Sequence, residues 1–179
     1  MSVFKKAVSV SLWTQKPVTM KSLNLDAILT SPYAYEQGLV KAIDEAGRQH
    51  TLNNAGEYYK HAQLKSTIKI EGIERLNKTL FEMVNRAARS VLHDGPVSCH
   101  CFIAKQGSPS FPEHQDPDAV MLYVIEGTKV LNAHGEQYFI RAGGIVTMAP
   151  NVPHRAENRD ASVMLSIGFE KYISEKLNA

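Results

Sequence analysis

The chain has 179 residues and is 44% hydrophobic, 21% charged and 8% aromatic, enough apolar material for one sizeable core and too much for a disordered chain. Twenty Lys and Arg against 18 Asp and Glu leave a formal charge of +2, too weak for a dedicated nucleic-acid binder. No apolar run approaches the roughly 18 to 20 residues that span a bilayer. Cys99 and Cys101 are too close along an extended chain to pair, which excludes a disulfide scaffold and makes a cytoplasmic protein the expectation.

Taken in chain order, the start has a basic pair, Lys5-Lys6, followed by a short, Ser-interrupted apolar stretch, and reads as a strand rather than a signal peptide. Residues 7–13 alternate as a strand, and residues 16–21 offer another. Residues 32–49 place Leu39, Val40 and Ile43 in helical register, while residues 66–70 form a third short strand candidate. Residues 71–92 carry Ile73, Leu76, Leu80, Val84, Ala87, Ala88 and Val91 at spacings of three and four. That predicts an amphipathic helix of about six turns, stopped by His93-Asp94-Gly95-Pro96. Beyond Pro96 the reading turns to β, with strands predicted over 97–104, 119–126, 128–131, 137–140, 145–148 and 162–167, separated by Gly- and Asn-containing turns. Six short strands at this spacing predict a jelly roll, or double-stranded β-helix, that is mainly β with N-terminal helices closing one end. The expected layout is one compact domain: residues 1–95 packing on the barrel, a metal-binding core over 96–170 and a tail over 171–179. Small barrels often pair, and the N-terminal strands could supply the interface of a homodimer, but the oligomeric state is not readable from the sequence.

The sharpest local feature is Pro112-Glu-His114-Gln-Asp116-Pro117. In an extended chain, residues two apart point to one face, so His114 and Asp116 can offer a nitrogen and a carboxylate oxygen to one point. A third ligand comes from Ala149-Pro-Asn-Val-Pro-His154, a Pro-rich loop that ends a Gly-initiated strand. Two His and one carboxylate on one face leave three octahedral positions open, the donor set of non-haem Fe(II). Separately, a lone His-x-Asp is commoner as a surface pair, and only the joint pattern in an all-β region points to metal. Cys99-His100-Cys101 reads as two core thiols either side of His100, since structural zinc would need two more ligands nearby; His100 is read either as a satisfied buried His or as lining the barrel. Tyr123 is read as lining the pocket or as core, and Arg155 as facing away from the metal at the rim.

Residues 143–158 resemble the second signature of the cupins, keeping Gly143, Pro150, His154 and Asn158. Ala149 stands where the first Pro is usual and Asn151 where the turn Gly is usual; Asn tolerates a left-handed backbone next best after Gly. The first signature, with its Glu, is replaced by His114-x-Asp116. At closer range the sequence resembles the Jumonji-type Fe(II)/2-oxoglutarate hydroxylases, in the branch that includes the ribosomal oxygenases. Carrying that resemblance are the His-x-Asp pair, Lys129 thirteen residues after Asp116, the Pro-His loop, the closing Leu165-Ser-Ile-Gly-Phe169, and Trp13-Thr-Gln-Lys16-Pro17 at the N-terminal end.

The resemblance implies a metal triad of His114, Asp116 and His154, with Fe(II) and 2-oxoglutarate as cofactors and Lys129 pairing with the distal carboxylate. A dicarboxylate that chelates metal at one end needs a cation at the other when the barrel is dry. Phe111 and Phe102 stand where that family often has a co-substrate-binding Thr and Tyr; Ser110, His100 and Ser166 are the polar side chains that could replace them. The implied activity is oxygenation of an unactivated C–H bond. A metal cupin of other chemistry (a 2-oxoglutarate-independent dioxygenase, isomerase or hydrolase) and a non-catalytic cupin binding domain remain the alternatives. The primary substrate is not readable.

Overall fold

The computed structural model describes residues 6–14 and 18–171; residues 15–17 and the C-terminal residues 172–179 lie outside it, as do residues 1–5. Lys5, Lys16, Pro17 and nearly all of the expected tail therefore fall outside the described residues. Ten strands and five helices are present in the described part: β1 (Val8–Leu12), α1 (Met20–Leu23), α2 (Leu25–Thr30), α3 (Pro32–Glu36), β2 (Val40–Ile43), β3 (Gln49–Thr51), α4 (Ala55–Gln63), β4 (Thr67–Ile70), α5 (Lys78–Ser90), β5 (Val97–Ala104), β6 (Ala119–Ala133), β7 (Glu136–Arg141), β8 (Gly144–Met148), β9 (His154–Glu157) and β10 (Ser162–Phe169). The sheet runs β1-β8-β6-β10-β5-β4-β2-β3, all neighbours antiparallel, with β7 and β9 both pairing with the second half of β6.

That double use of β6 makes the jelly roll. The first half of β6 lies between β8 and β10, and the half after Gly127 lies between β7 and β9 in the facing layer. The sequence reading split this segment into two strands at Gly127; the structure keeps it as one strand that turns. Gly127 has φ 74°, and a Cβ there would fall 1.9 Å from the Ala161 carbonyl oxygen, so only glycine fits. A register shift between Val163 and Met164 on β10 accompanies the turn.

The N-terminal third departs from its expected helices. The predicted helix over 32–49 is α3 followed by the β2–β3 hairpin. Gly38, at φ 64°, ends α3, and Val40, Ala42 and Ile43 are then buried in a strand. A short apolar run buried on both faces is not separated from a helix by its period alone, and tertiary pairing with β4 decides the matter. The predicted six-turn helix over 71–92 is shorter. Gly72, at φ 60°, leads into a 3₁₀ turn over Ile73–Arg75, and Asn77 starts α5 afresh by accepting the Leu80 amide at 3.1 Å. Residues Met20 and Lys21 of the expected second strand belong to α1, which Thr19 and Ser22 close with a capping box. By contrast, strands within 7–13 and 66–70 form where expected. Strands from both sides of Pro96 join one sheet, β4 pairing with β5 and β1 with β8.

Two apolar layers flank this sheet. On one face Leu80, Met83 and Ala87 of α5 pack with Cys99, Cys101, Met121, Leu165 and Ile167. On the other face Leu122, Val124, Leu131, Ile140, Val146 and Met164 fill the barrel. Each fully buried side chain of this size is worth roughly 1.5–3 kcal/mol relative to exposure. The barrel face is the one that carries the polar site.

Candidate metal centre

His114 sits in the loop between β5 and β6, and His154 opens β9. The two exchange backbone hydrogen bonds, the His114 amide donating to the His154 carbonyl at 3.0 Å and the reverse at 2.9 Å. This bridge brings their imidazoles side by side, with ring centroids 4.4 Å apart and the planes tilted by 51°. Asp116, two residues beyond His114, brings Oδ2 to 3.5 Å from His154 Nε2. The Asn151 amide donates to the Asp116 carbonyl at 2.8 Å, and Asn151 itself adopts φ 60°. The left-handed turn expected of Pro150-Asn151 is therefore present, and it ties the His154 loop to the Asp116 loop. One ligand atom from each of His114, Asp116 and His154 lies within 4.8 Å of the others. Donors about 2.0–2.2 Å from a shared ion fit this arrangement after small inward rotations.

Both imidazoles are held by backbone carbonyls. His114 Nδ1 lies 2.9 Å from the Pro112 carbonyl and His154 Nδ1 lies 2.9 Å from the Val152 carbonyl. A carbonyl only accepts, so each Nδ1 carries the proton and each Nε2 presents its lone pair. The loop before His114 is braced from the β2–β3 turn, where a Cβ on Gly47 would lie 2.6 Å from Pro112 Cδ. His154 is buried, whereas His114 and Asp116 keep a solvent-facing side.

Behind the triad lies a cavity of about 190 Å³. Its walls are His100 and Phe102 from β5, Leu122 from the first half of β6, Lys129 from β6 beyond the bend at Gly127, and Ser166 from β10, opposite His100. Lys129 is only 2% exposed and donates from Nζ to Asn158 Oδ1. Burial pushes its ammonium down to about 8, because desolvation penalises the charged form. His100 Nδ1 accepts from the Gly72 amide at 3.3 Å, and burial also lowers its pKa. Ser110 and Phe111 complete the wall and open onto a wider groove of about 650 Å³ that Arg155 and the β2–β3 turn also line.

Of the residues singled out from sequence, His114, Asp116, His154, Lys129, His100 and Ser166 share this cavity. Tyr123 does not. It lies on the helix-covered face of β6, 1% exposed, with its ring stacked on Trp13 at 5.2 Å, because its odd position in the strand points away from Leu122. Cys99 and Cys101 are free and buried on that same face, and burial raises both thiols, Cys101 to about 12.

Sequence reasoning missed Thr67 and Lys69, which face the cavity while Ile68 and Ile70 face the helices. Their polar-apolar alternation reads as an ordinary strand with one solvated face, which is why no signal separated them. Lys69 Nζ lies 2.7 Å from Glu71 Oε1 and 5.9 and 5.8 Å from the Phe102 and Phe111 ring centres. Glu71 also takes Lys41 at 2.7 Å. Burial pushes the Glu71 carboxyl up, but hydrogen bonds from Lys41 and Lys69 outweigh it and leave the pKa lowered. No described helix is long and apolar enough to cross a membrane.

Residues 101–168 match the cupin domain family, and the antiparallel jelly roll agrees with that match. No curated protein matches the sequence. Among solved structures, YcfD, a ribosomal oxygenase from Escherichia coli, superposes with a TM-score of 0.70 at 13% identity. The superposition covers 98% of this chain and 51% of that one, so the chain spans about half the length of YcfD. A second YcfD structure, in complex with cobalt and 2-oxoglutarate, gives the same TM-score, identity and coverage. At such identity the likeness establishes a shared fold.

Proposed function

We propose that the cupin domain of this chain holds Fe(II) on His114, Asp116 and His154 and uses 2-oxoglutarate to oxygenate an unactivated C–H bond. The observation that carries the reading is the pairing of a facial His-Asp-His set with a buried, carboxylate-free lysine across one small cavity. The fold shared with YcfD supports it, since that protein is seen with cobalt and 2-oxoglutarate. The donor set fits iron: two imidazoles with Nε2 free and one carboxylate, all on one side. Bound iron would supply the activation of O2 that drives oxidative decarboxylation of the keto acid.

The chain's own residues do the rest. His114 and His154 present fixed tautomers, so coordination costs no ring flip. Lys129 would meet the distal carboxylate of the co-substrate with a charge-assisted hydrogen bond inside a dry wall. His100 and Ser166 offer a donor or acceptor on the β5–β10 wall, where Phe102 and Phe111 contribute only apolar surface. The groove beyond Ser110 and Phe111 is the approach for the primary substrate, and the half-enclosed cavity limits water at the metal.

Anaerobic titration with Fe(II) and then 2-oxoglutarate tests this reading. A weak visible charge-transfer band is expected on addition of the keto acid, and it should be lost at the same ligand concentration in Lys129→Ala. Bound iron with no band in the wild type, or an unchanged band in Lys129→Ala, would overturn the co-substrate assignment.

A further inference from the structure

Lys129 and Lys69 are both lysines on the wall of one cavity, yet their surroundings differ in kind. Lys69 is met by the Glu71 carboxylate at 2.7 Å. The one described partner of Lys129 is the neutral amide of Asn158. Asn158 is itself 5% exposed, and each of its polar atoms is committed. Its Nδ2 lies 3.0 Å from the Ser108 carbonyl, 3.1 Å from the Pro109 carbonyl and 3.1 Å from Thr67 Oγ1. Thr67 donates its own hydroxyl proton to the Pro109 carbonyl at 2.5 Å, so toward Asn158 its oxygen accepts. Carbonyls cannot donate. The amide orientation is therefore determined, and Oδ1 is the atom left to face Lys129. The Asn158 carbonyl is occupied too, accepting the Gly107 amide at 2.6 Å.

We propose that Asn158 is a positioning and specificity-determining residue, holding the Lys129 ammonium by a neutral group so that its charge stays uncompensated and the cavity selects a ligand with a distal carboxylate. The inference rests on the 2-oxoglutarate reading and deepens it. An amide takes one of the three ammonium protons and fixes the direction of the other two, without neutralising the cation. A carboxylate in its place would satisfy the lysine internally and repel an incoming one. A side chain too short to reach would leave the flexible four-carbon stem unaimed. The Ser108–Pro109 loop and Thr67, which lie 50, 49 and 91 residues from Asn158 in sequence, act here only as the lock that orients the amide.

The test compares two ligands within each variant, so that general damage to the fold cancels. Wild type, Asn158→Asp, Asn158→Ala and Thr67→Val are loaded anaerobically with Fe(II) and titrated with 2-oxoglutarate and with 2-oxopentanoate, which has the same chain length but no distal carboxylate. Iron stoichiometry and melting temperature are recorded alongside. Wild type should favour 2-oxoglutarate by roughly 10- to 100-fold, the range of one charge-assisted hydrogen bond. That preference should fall to about unity in Asn158→Asp, roughly tenfold in Asn158→Ala and a few-fold in Thr67→Val, with affinity for 2-oxopentanoate unchanged. Should Asn158→Asp fail to fold, the other two variants decide. An unchanged preference in the variants that bind iron would overturn the role of Asn158 while leaving the co-substrate reading standing. A wild type that binds iron but neither keto acid would overturn that reading, and this inference with it.

Discussion

The two faces of β5 and β6 are built from alternate residues of the same strands and could hardly differ more. Facing α5, Cys99 and Cys101 are fully buried beside Met121 and Tyr123, and their thiols are held protonated by desolvation. Facing the barrel, His100, Phe102, Leu122 and Lys129 line a cavity of mixed polar and apolar walls that ends at His114, Asp116 and His154. One residue of displacement along a strand separates a group that serves packing from one that serves chemistry. Both faces bury apolar side chains, and the barrel side also buries the Lys129 ammonium, at a desolvation cost.

That contrast can be broken from either side. The largest expected effect is on the barrel side: His114→Ala should abolish stoichiometric Fe(II) binding while the melting temperature stays within a few degrees, read by metal analysis and thermal denaturation. Retained stoichiometric iron would contradict the triad. On the helix side, Tyr123→Ala removes a ring stacked on Trp13 and should cost about 3–5 kcal/mol in denaturant unfolding. Fe(II) binding by the folded fraction should be unaltered. At the seam between the two layers, Gly127→Ala would force a Cβ onto the Ala161 carbonyl and strain a backbone at φ 74°, for a loss of about 1–3 kcal/mol.

The smallest effect concerns pH. Folded Lys129 releases its proton near pH 8, against an ordinary value of 10.5. Between those values the unfolded chain binds a proton that the folded chain has lost, so this group makes stability rise with pH across the window; below pH 8 both states hold the proton and the group adds no slope. The buried thiols act oppositely above pH 9, since the folded state keeps protons that unfolded cysteines release. The wild-type slope between pH 8 and 9, compared with that of Lys129→Met, isolates the lysine. A steeper rise is expected in the wild type, and identical slopes would contradict its burial as a charge.

The clustering of His114, Asp116 and His154 was legible because their spacing is a physical statement. Two residues apart in an extended segment share a face, and a Pro-Asn turn before His154 needs a left-handed residue that Asn can supply. The β half of the chain was legible from its turns, with two exceptions: Gly127 read as a break when it is a bend within β6, and β9 (His154–Glu157) was not read as a strand. Elsewhere the local signal was ambiguous. Leu39, Val40 and Ile43 keep helical spacing, and only pairing with β4 settles Val40–Ile43 as a strand buried on both faces. Tyr123 was one residue out of phase with the cavity. Asn158 was visible as a motif residue, but its lock on Lys129 requires Thr67, which lies 91 residues away and carries no mark in the sequence.

The most direct measurement is an anaerobic crystal structure of the protein loaded with Fe(II) and 2-oxoglutarate. Nε2 of His114, Nε2 of His154 and a carboxylate oxygen of Asp116 should each lie about 2.0–2.2 Å from one ion. The far carboxylate of the keto acid should meet Lys129 Nζ beside Asn158. An ion bound elsewhere, or a keto acid whose far carboxylate turns to Lys69 and leaves Lys129 on Asn158 alone, would contradict the account.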